Sequence, residues 1–321
     1  RLMAPLVRIG TRRSKLALTQ SGMMQRAIGR ALGVADADLA EAVPLVEIVT
    51  TGDRVQDRRL LEIGGKALFT KEIEEALLDG RVDVAVHSYK DLPSRGPEEL
   101  VVAAVPERVD VADVLLIRAA SFDEGAGLLP VREGSTVGTS AARRSALVRA
   151  LRPDLSVAML RGNVPTRIAA LANGQFDAIV LAAAGLARLE RGAEPGSRIV
   201  PDGIVHARLD PSVFTPAPAQ GAIAVQVRRD AADVIAAVAQ IHDRRSGRAL
   251  HAERRILARA EGGCTLPFGA WCEVFPDGEL QLHASLGRED GSVAHVVRAG
   301  RDPEGLADAA WAELAQLAGL G

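Results

Sequence analysis

A chain of 321 residues that is 48% hydrophobic and 25% charged can bury more than one core, which excludes a disordered protein and a short disulfide-stapled module. A formal net charge of −2 argues against a general nucleic-acid binder. No apolar run reaches the ~20 residues of a membrane-spanning helix, so no membrane partner is expected.

The opening residues, Arg1-Leu2-Met3-Ala4-Pro5, run straight into apolar Leu6-Val7 and do not read as a signal peptide. The only cysteines are Cys264 and Cys272, and no metal-type Cys/His spacing is present. The expectation is a cytoplasmic protein with reduced thiols and no zinc site. Lys15, Lys66, Lys71 and Lys90 are the only lysines. A genome-wide arginine bias accounts for the number of arginines, so position must decide which of them matter.

Leu6–Ile9 reads as a first strand, followed by Gly10-Thr11-Arg12-Arg13-Ser14 and a helical pattern from about Lys15 to Leu32. Leu45–Thr50 is a second strand. The stretch 52–66 carries two aspartates, three arginines and Gly64-Gly65, and reads as a long mobile loop, a candidate lid. Thr70 caps a helix over Lys71–Asp79 that Gly80 stops. Val82 to Val86 then forms a buried strand ending in His87-Ser88-Tyr89-Lys90-Asp91 before Leu92-Pro93. Five polar or polar-tipped residues at a strand's carboxyl end are poorly explained by packing, and ligands of open α/β sheets bind at such ends. Asp91 and Lys90 are therefore candidates for chemistry; the alternative is that Asp91 merely caps a turn. Leu100–Val105 is another strand.

A second unit starts near Asp110, with strands Asp113–Arg118, Ser135–Gly138, Val157–Leu160 and Phe176–Leu181. Helices open at Gly138-Thr139-Ser140-Ala141-Ala142-Arg143-Arg144 and at Arg161-Gly162-Asn163-Val164-Pro165, where Asn163 suits an N-cap. The two units echo each other: Ile9-Gly10-Thr11 matches Val137-Gly138-Thr139, and Asp79-Gly80 before one strand matches Asn173-Gly174 before another. This fits two α/β lobes of similar build facing across a cleft. Phe214–Gly221 reads as an extended crossing segment, and Ala222–Val227 as a strand returning to the first lobe. Helical pattern follows to about Ala260, then the turn Glu261-Gly262-Gly263-Cys264. Three strands (Gly269–Val274, Leu280–Leu286, Val293–Arg298) and a helix from about Glu304 to Leu317 make a small third domain.

Two constellations stand beside Asp91. Arg12, Arg13, Arg143, Arg144, Arg161 and Arg167 lie at strand-to-helix junctions, where exposed amides already favour anions and guanidinium forks add two-bond grip. Such a set suits a ligand with many anionic groups, although any one of them could be a solvated arginine. Cys264, freed of bulk by two glycines, could carry a covalent group or be an inert buried thiol. The Gly64-Gly65-Lys66 stretch is not a phosphate loop.

Together these motifs resemble the porphobilinogen deaminase (hydroxymethylbilane synthase) family: Ile9-Gly10-Thr11-Arg12 with Ser14, Gly64-Gly65-Lys66 with Leu68-Phe69, His87-Ser88 with Lys90-Asp91, Gly138-Thr139-Ser140 with Arg143-Arg144, Leu160-Arg161-Gly162-Asn163-Val164, Pro218-Ala219-Gln220-Gly221 and Glu261-Gly262-Gly263-Cys264. The resemblance implies an α/β fold with two periplasmic-binding-protein-like lobes (1–109 with 216–240, and 110–215) around a cleft. A C-terminal α+β domain over 241–321 would carry the cofactor cysteine. It implies a transferase of haem and tetrapyrrole biosynthesis that joins four porphobilinogens head to tail on a dipyrromethane cofactor, attached covalently to Cys264. Asp91 would be catalytic; Lys90, Ser140, Arg143, Arg144, Arg167 and Arg188 would bind cofactor. Arg12, Ser14, Arg161, Lys66, Phe69 and Gln220 would bind substrate. A monomer handing its product to uroporphyrinogen III synthase is implied as well. Glu62, Ala141 and Tyr89 depart from residues common in the family. The competing reading is a non-catalytic two-lobed anion-binding protein, which leaves Cys264 and the third domain without a purpose.

Overall fold

The computed structural model describes residues 5–50, 70–194, 196–260 and 266–320. Lys66, Phe69, Cys264, Glu62 and the whole 52–66 stretch lie outside the described residues. The chain divides into two compact units, 1–108 with 222–247 and 109–221 with 248–321.

The first stretch runs β1 (Ile9–Thr11), α1 (Lys15–Ala31), the single turn α2 (Leu39–Ala42), β2 (Leu45–Glu47), α3 (Lys71–Leu78), β3 (Val84–Ser88) and β4 (Leu100–Ala104). The second runs β5 (Asp113–Arg118), β6 (Thr136–Gly138), α4 (Ala142–Leu151), β7 (Ser156–Ala158), α5 (Val164–Ala172), β8 (Ala178–Ala182), α6 (Ala183–Arg191) and β9 (Ile204–Arg208). The chain continues with β10 (Ile223–Arg228), α7 (Ala232–Ala239), α8 (Arg244–Ala260), β11 (Phe268–Val274), β12 (Leu280–Gly287), β13 (Val293–Gly300) and α9 (Pro303–Leu317).

The first unit holds a five-stranded sheet in the order β2-β1-β3-β10-β4. β1 is parallel to β2 and β3; β10 enters antiparallel between β3 and β4, as expected of a strand returning to the first lobe. β3 is buried on both faces, which explains its unbroken apolar run. Val84 and Val86 pack toward Met24 and Ile28 of α1, while Ala85 packs with Ile73 and Leu77 of α3. Burying each of these larger side chains contributes roughly 1.5–3 kcal/mol.

The second unit repeats the plan with a sheet of order β7-β6-β8-β5-β9. Leu115, Ile117 and Val180 pack with Leu147 and Val148 of α4; Leu116, Ile179 and Leu181 pack with Ile168 and Leu171 of α5 and Leu186 of α6. Gly138 is required at the end of β6, because a Cβ there would lie 2.8 Å from the Phe176 ring. The same unit contains the antiparallel meander β11-β12-β13, whose Leu282 and Ala284 pack with Ile256 of α8 and Leu306 and Leu314 of α9. The α/β expectation of two lobes plus a small α+β part is thus met by two five-stranded sheets and one three-stranded sheet. α6 and β9 were not expected: the Ala183-Ala184-Gly185 start of α6 carries no capping signal.

Candidate active site

In the first unit, a pocket opens where β1 passes into α1 and β3 ends. Arg12, Ser14, Gln20, Thr70, His87, Ser88 and Asp91 line it. Ser14 is the N-cap of α1, its hydroxyl accepting from Ala17 N at 3.3 Å, and no acidic residue stands in the first turn. The helix start therefore keeps its preference for an anion. Asp91 ends the single 3-10 turn Tyr89–Asp91 and is exposed at the pocket, with half-buried Lys90 on the same turn.

Behind Asp91 the wall is polar but tightly bonded. Buried Gln20 exchanges hydrogen bonds with Ser88 Oγ at 2.9 and 3.2 Å. His87 Nε2 lies 3.0 Å from Gln226 Oε1, and Gln226 Nε2 donates to Glu74 Oε1 at 3.1 Å. An amide that donates to Glu74 must accept from the ring, so His87 carries its proton on Nε2. Burial, aided by the charge of Arg12 and opposed by the Gln226 bond, pushes the His87 pKa down to about 4. Burial pushes the Glu74 carboxyl up, partly offset by the bond from Gln226. Thr70 Oγ1 is buried in the same wall with no hydrogen-bond partner among the described residues.

In the second unit, Arg143 and Arg144 open α4 yet are both buried. Their Nη2 atoms donate to the two oxygens of Asp113 at 2.8 and 2.7 Å, and their Nη1 atoms donate to Thr215 O at 2.7 Å and Val180 O at 3.0 Å. Gln220 Nε2 donates to Asp113 Oδ1 and Val111 O, both at 2.9 Å. Burial alone would raise the Asp113 carboxyl; the charges of Arg143 and Arg144 and the bonds from Arg144 and Gln220 hold it well below the usual range. Arg188 is also buried, donating to Gly221 O, and burial with Arg191 nearby brings its pKa down to about 10. The Nε atoms of Arg144 and Arg188 have no hydrogen-bond partner among the described residues.

Ser140 and Arg161 are exposed and Arg167 half-buried at the starts of α4 and α5. Asn163 caps α5 through Thr166 N at 2.9 Å, as its position predicts, and Arg167 Nε donates to Gly162 O at 2.7 Å. The structure thus gathers Arg12, Ser14 and Asp91 at one pocket and Arg143, Arg144 and Gln220 around one carboxylate. Asp113 and Gln20 have no role in the sequence reading, and Thr70, expected as a side-chain cap, stands at the N-cap of α3 without a side-chain cap bond. Asp113 had one faint signal, a charged residue at the head of an otherwise apolar strand. The described residues contain no cluster of His, Cys, Asp and Glu able to hold a metal, and no helix long and apolar enough to cross a membrane.

Two family models match the chain: "Porphobilinogen deaminase, dipyromethane cofactor binding domain" over residues 7–236, and "Porphobilinogen deaminase, C-terminal domain" over 248–314. The porphobilinogen deaminase of Phenylobacterium zucineum is 47% identical over 313 residues, covering 93% of each chain. That of Brevibacillus brevis is 42% identical over 315 residues, covering 97% of this chain and 95% of its own. Among solved structures, a double mutant of the Bordetella pertussis BvgS VFT2 domain is 16% identical, covers 79% of this chain and 93% of that one, and has a TM-score of 0.42.

Proposed function

The chain belongs to the porphobilinogen deaminase family, and we propose that its Asp91 pocket and its Arg143–Arg144 cluster carry the family's reaction. The enzyme is a transferase: it removes ammonia from porphobilinogen and joins four units head to tail on a dipyrromethane primer, releasing linear hydroxymethylbilane. Family membership sets aside the non-catalytic anion-binding alternative.

The primer and each added unit bring two carboxylates per ring, and the second unit suits them chemically. Three buried guanidiniums, Arg143, Arg144 and Arg188, stand there against two buried carboxylates, Asp113 and Glu253, and two of the guanidinium Nε atoms lack a hydrogen-bond partner among the described residues. A buried excess of positive charge is stabilised by an anionic ligand. Arg143, Arg144 and Arg188 would hold the primer, together with Lys90, Ser140 and Arg167, and Cys264 would anchor it through a thioether. When bound, the primer supplies the electron-rich pyrrole carbon to which a new unit is joined.

The observation that carries this reading is Asp91 sharing one pocket with Arg12 and the capped start of α1. Arg12, Ser14 and the α1 amides would bind a substrate carboxylate, with Arg161, Gln220, Lys66 and Phe69 as further contacts. Asp91 would accept from the pyrrole N–H and stabilise the positive charge that develops as the C–N bond breaks and ammonia leaves. It would also assist loss of the ring proton displaced when the new C–C bond forms. Proton-transfer help of this kind is worth roughly 10²–10⁴ in rate.

Intact-mass measurement tests the reading. Purified protein should carry an excess of two linked pyrrole units, absent in Cys264→Ala. Asp91→Asn should keep that mass and lose at least about 100-fold in turnover. Active enzyme without the added mass would refute the assignment of Cys264, and near-normal turnover in Asp91→Asn would refute that of Asp91.

Family resemblance further supports a cytoplasmic monomer that hands its product to uroporphyrinogen III synthase. Three sheets with separate apolar clusters support a three-domain division at 1–109 with 216–240, 110–215 and 241–321.

A further inference from the structure

Asp113 is the first residue of β5, paired with Ala182 at the carboxyl end of β8, and it is wholly buried. Both of its oxygens are engaged: Oδ2 accepts from Arg143, and Oδ1 accepts from Arg144 and Gln220. Each guanidinium is held at a second point by a backbone carbonyl, Thr215 O or Val180 O. The planes of both forks are therefore fixed relative to the edge of the sheet.

On charge alone Asp113 is a puzzle. It cancels positive charge in a cluster assigned to carboxylates, so Coulomb's law makes it weaken the binding of an anion. Its geometry does the opposite, because forks that are already oriented lose little freedom when a ligand arrives. We propose that Asp113 is a positioning residue for the reaction, holding Arg143, Arg144 and Gln220 in the one arrangement that receives the carboxylates of the primer and its growing chain. This inference rests on the roles proposed above for Arg143 and Arg144.

The two effects have opposite signs, so they can be separated. Asp113→Asn removes the charge and leaves one acceptor oxygen where two were used; Asp113→Glu keeps the charge and displaces it by a methylene. Each variant is compared with wild type by intact mass for primer occupancy, by KM and kcat for porphobilinogen, and by thermal unfolding. Positioning predicts that both variants lose most of the primer mass, and that the remaining loaded enzyme shows a KM raised about 10-fold. A lower KM in Asp113→Asn, or wild-type occupancy and KM in Asp113→Glu, overturns the proposal. So does a fall in melting temperature alone, with occupancy and KM of the folded fraction unchanged. If Asp113→Asn does not fold, Asp113→Glu decides; if neither folds, the residue is structural and the proposal fails. A wild-type protein lacking the two-pyrrole mass would instead refute the function proposed above.

Discussion

The two five-stranded sheets follow one plan, β2-β1-β3-β10-β4 in the first unit and β7-β6-β8-β5-β9 in the second, and share a clasp at the foot of the plan. Asp83 accepts from Arg8 N and the Arg8 guanidinium; Asp177 accepts from Thr136 N, Arg118 and Ser121. At the carboxyl ends the two sheets diverge. The first exposes Asp91 in front of a buried neutral histidine and a buried Glu74 whose carboxyl is pushed up. The second buries Asp113 and holds it ionised. Burial acts on Glu74 and Asp113 in the same direction; a neutral amide meets the first and two guanidiniums meet the second. A duplicated scaffold thus carries different chemistry because the neighbours of each acid differ.

The largest effect that would sharpen this comparison concerns His87. The unfolded histidine takes up its proton near pH 6.5, the folded one only near pH 4. Between these values the unfolded chain binds more protons, so stability should fall as pH falls, by on the order of 3 kcal/mol across the window. Glu74 acts in the opposite direction, since its raised carboxyl takes up a proton earlier in the folded chain. Urea unfolding at pH 7 and pH 4.5 should show His87→Gln losing a large part of the wild-type slope. An unchanged slope would mean that the folded ring is charged.

The clasps come next. If Asp83 and Asp177 are equivalent, Asp83→Asn and Asp177→Asn should each lower stability by about 1.5–3 kcal/mol, the range for charged hydrogen bonds. A several-fold difference between the two, read from denaturant midpoints at equal m, would break the equivalence. The smallest expected effect is at the helix starts. Ser14 caps α1, whereas Ala141 at the start of α4 has no capping side chain. Ser14→Ala should cost about 1 kcal/mol and Ala141→Ser should add up to about that much. Equal responses of opposite sign would confirm the match between the junctions.

Much of the plan is legible in the sequence. The strand Asp113–Arg118 is found at its expected bounds, the Asn163 cap is present, and both Asx-Gly stops lie where the repeat places them. Short apolar runs, caps and glycines act within a few residues, so they survive without tertiary context. β9 was missed because Ile204–Arg208 alternates only weakly and is half exposed at the edge of its sheet.

Sequence alone determined the family, the α/β class, the candidate acid Asp91 and the arginines at strand-to-helix junctions, because each is written in contiguous residues. Only the tertiary structure decided that Arg143 and Arg144 are buried around Asp113, that Gln220 joins them, and that His87 is bonded through Gln226 to Glu74. Those partners lie from about thirty to more than a hundred residues apart in the chain. No local pattern encodes such pairings; they exist once the sheets bring the strand ends together and exclude water from them.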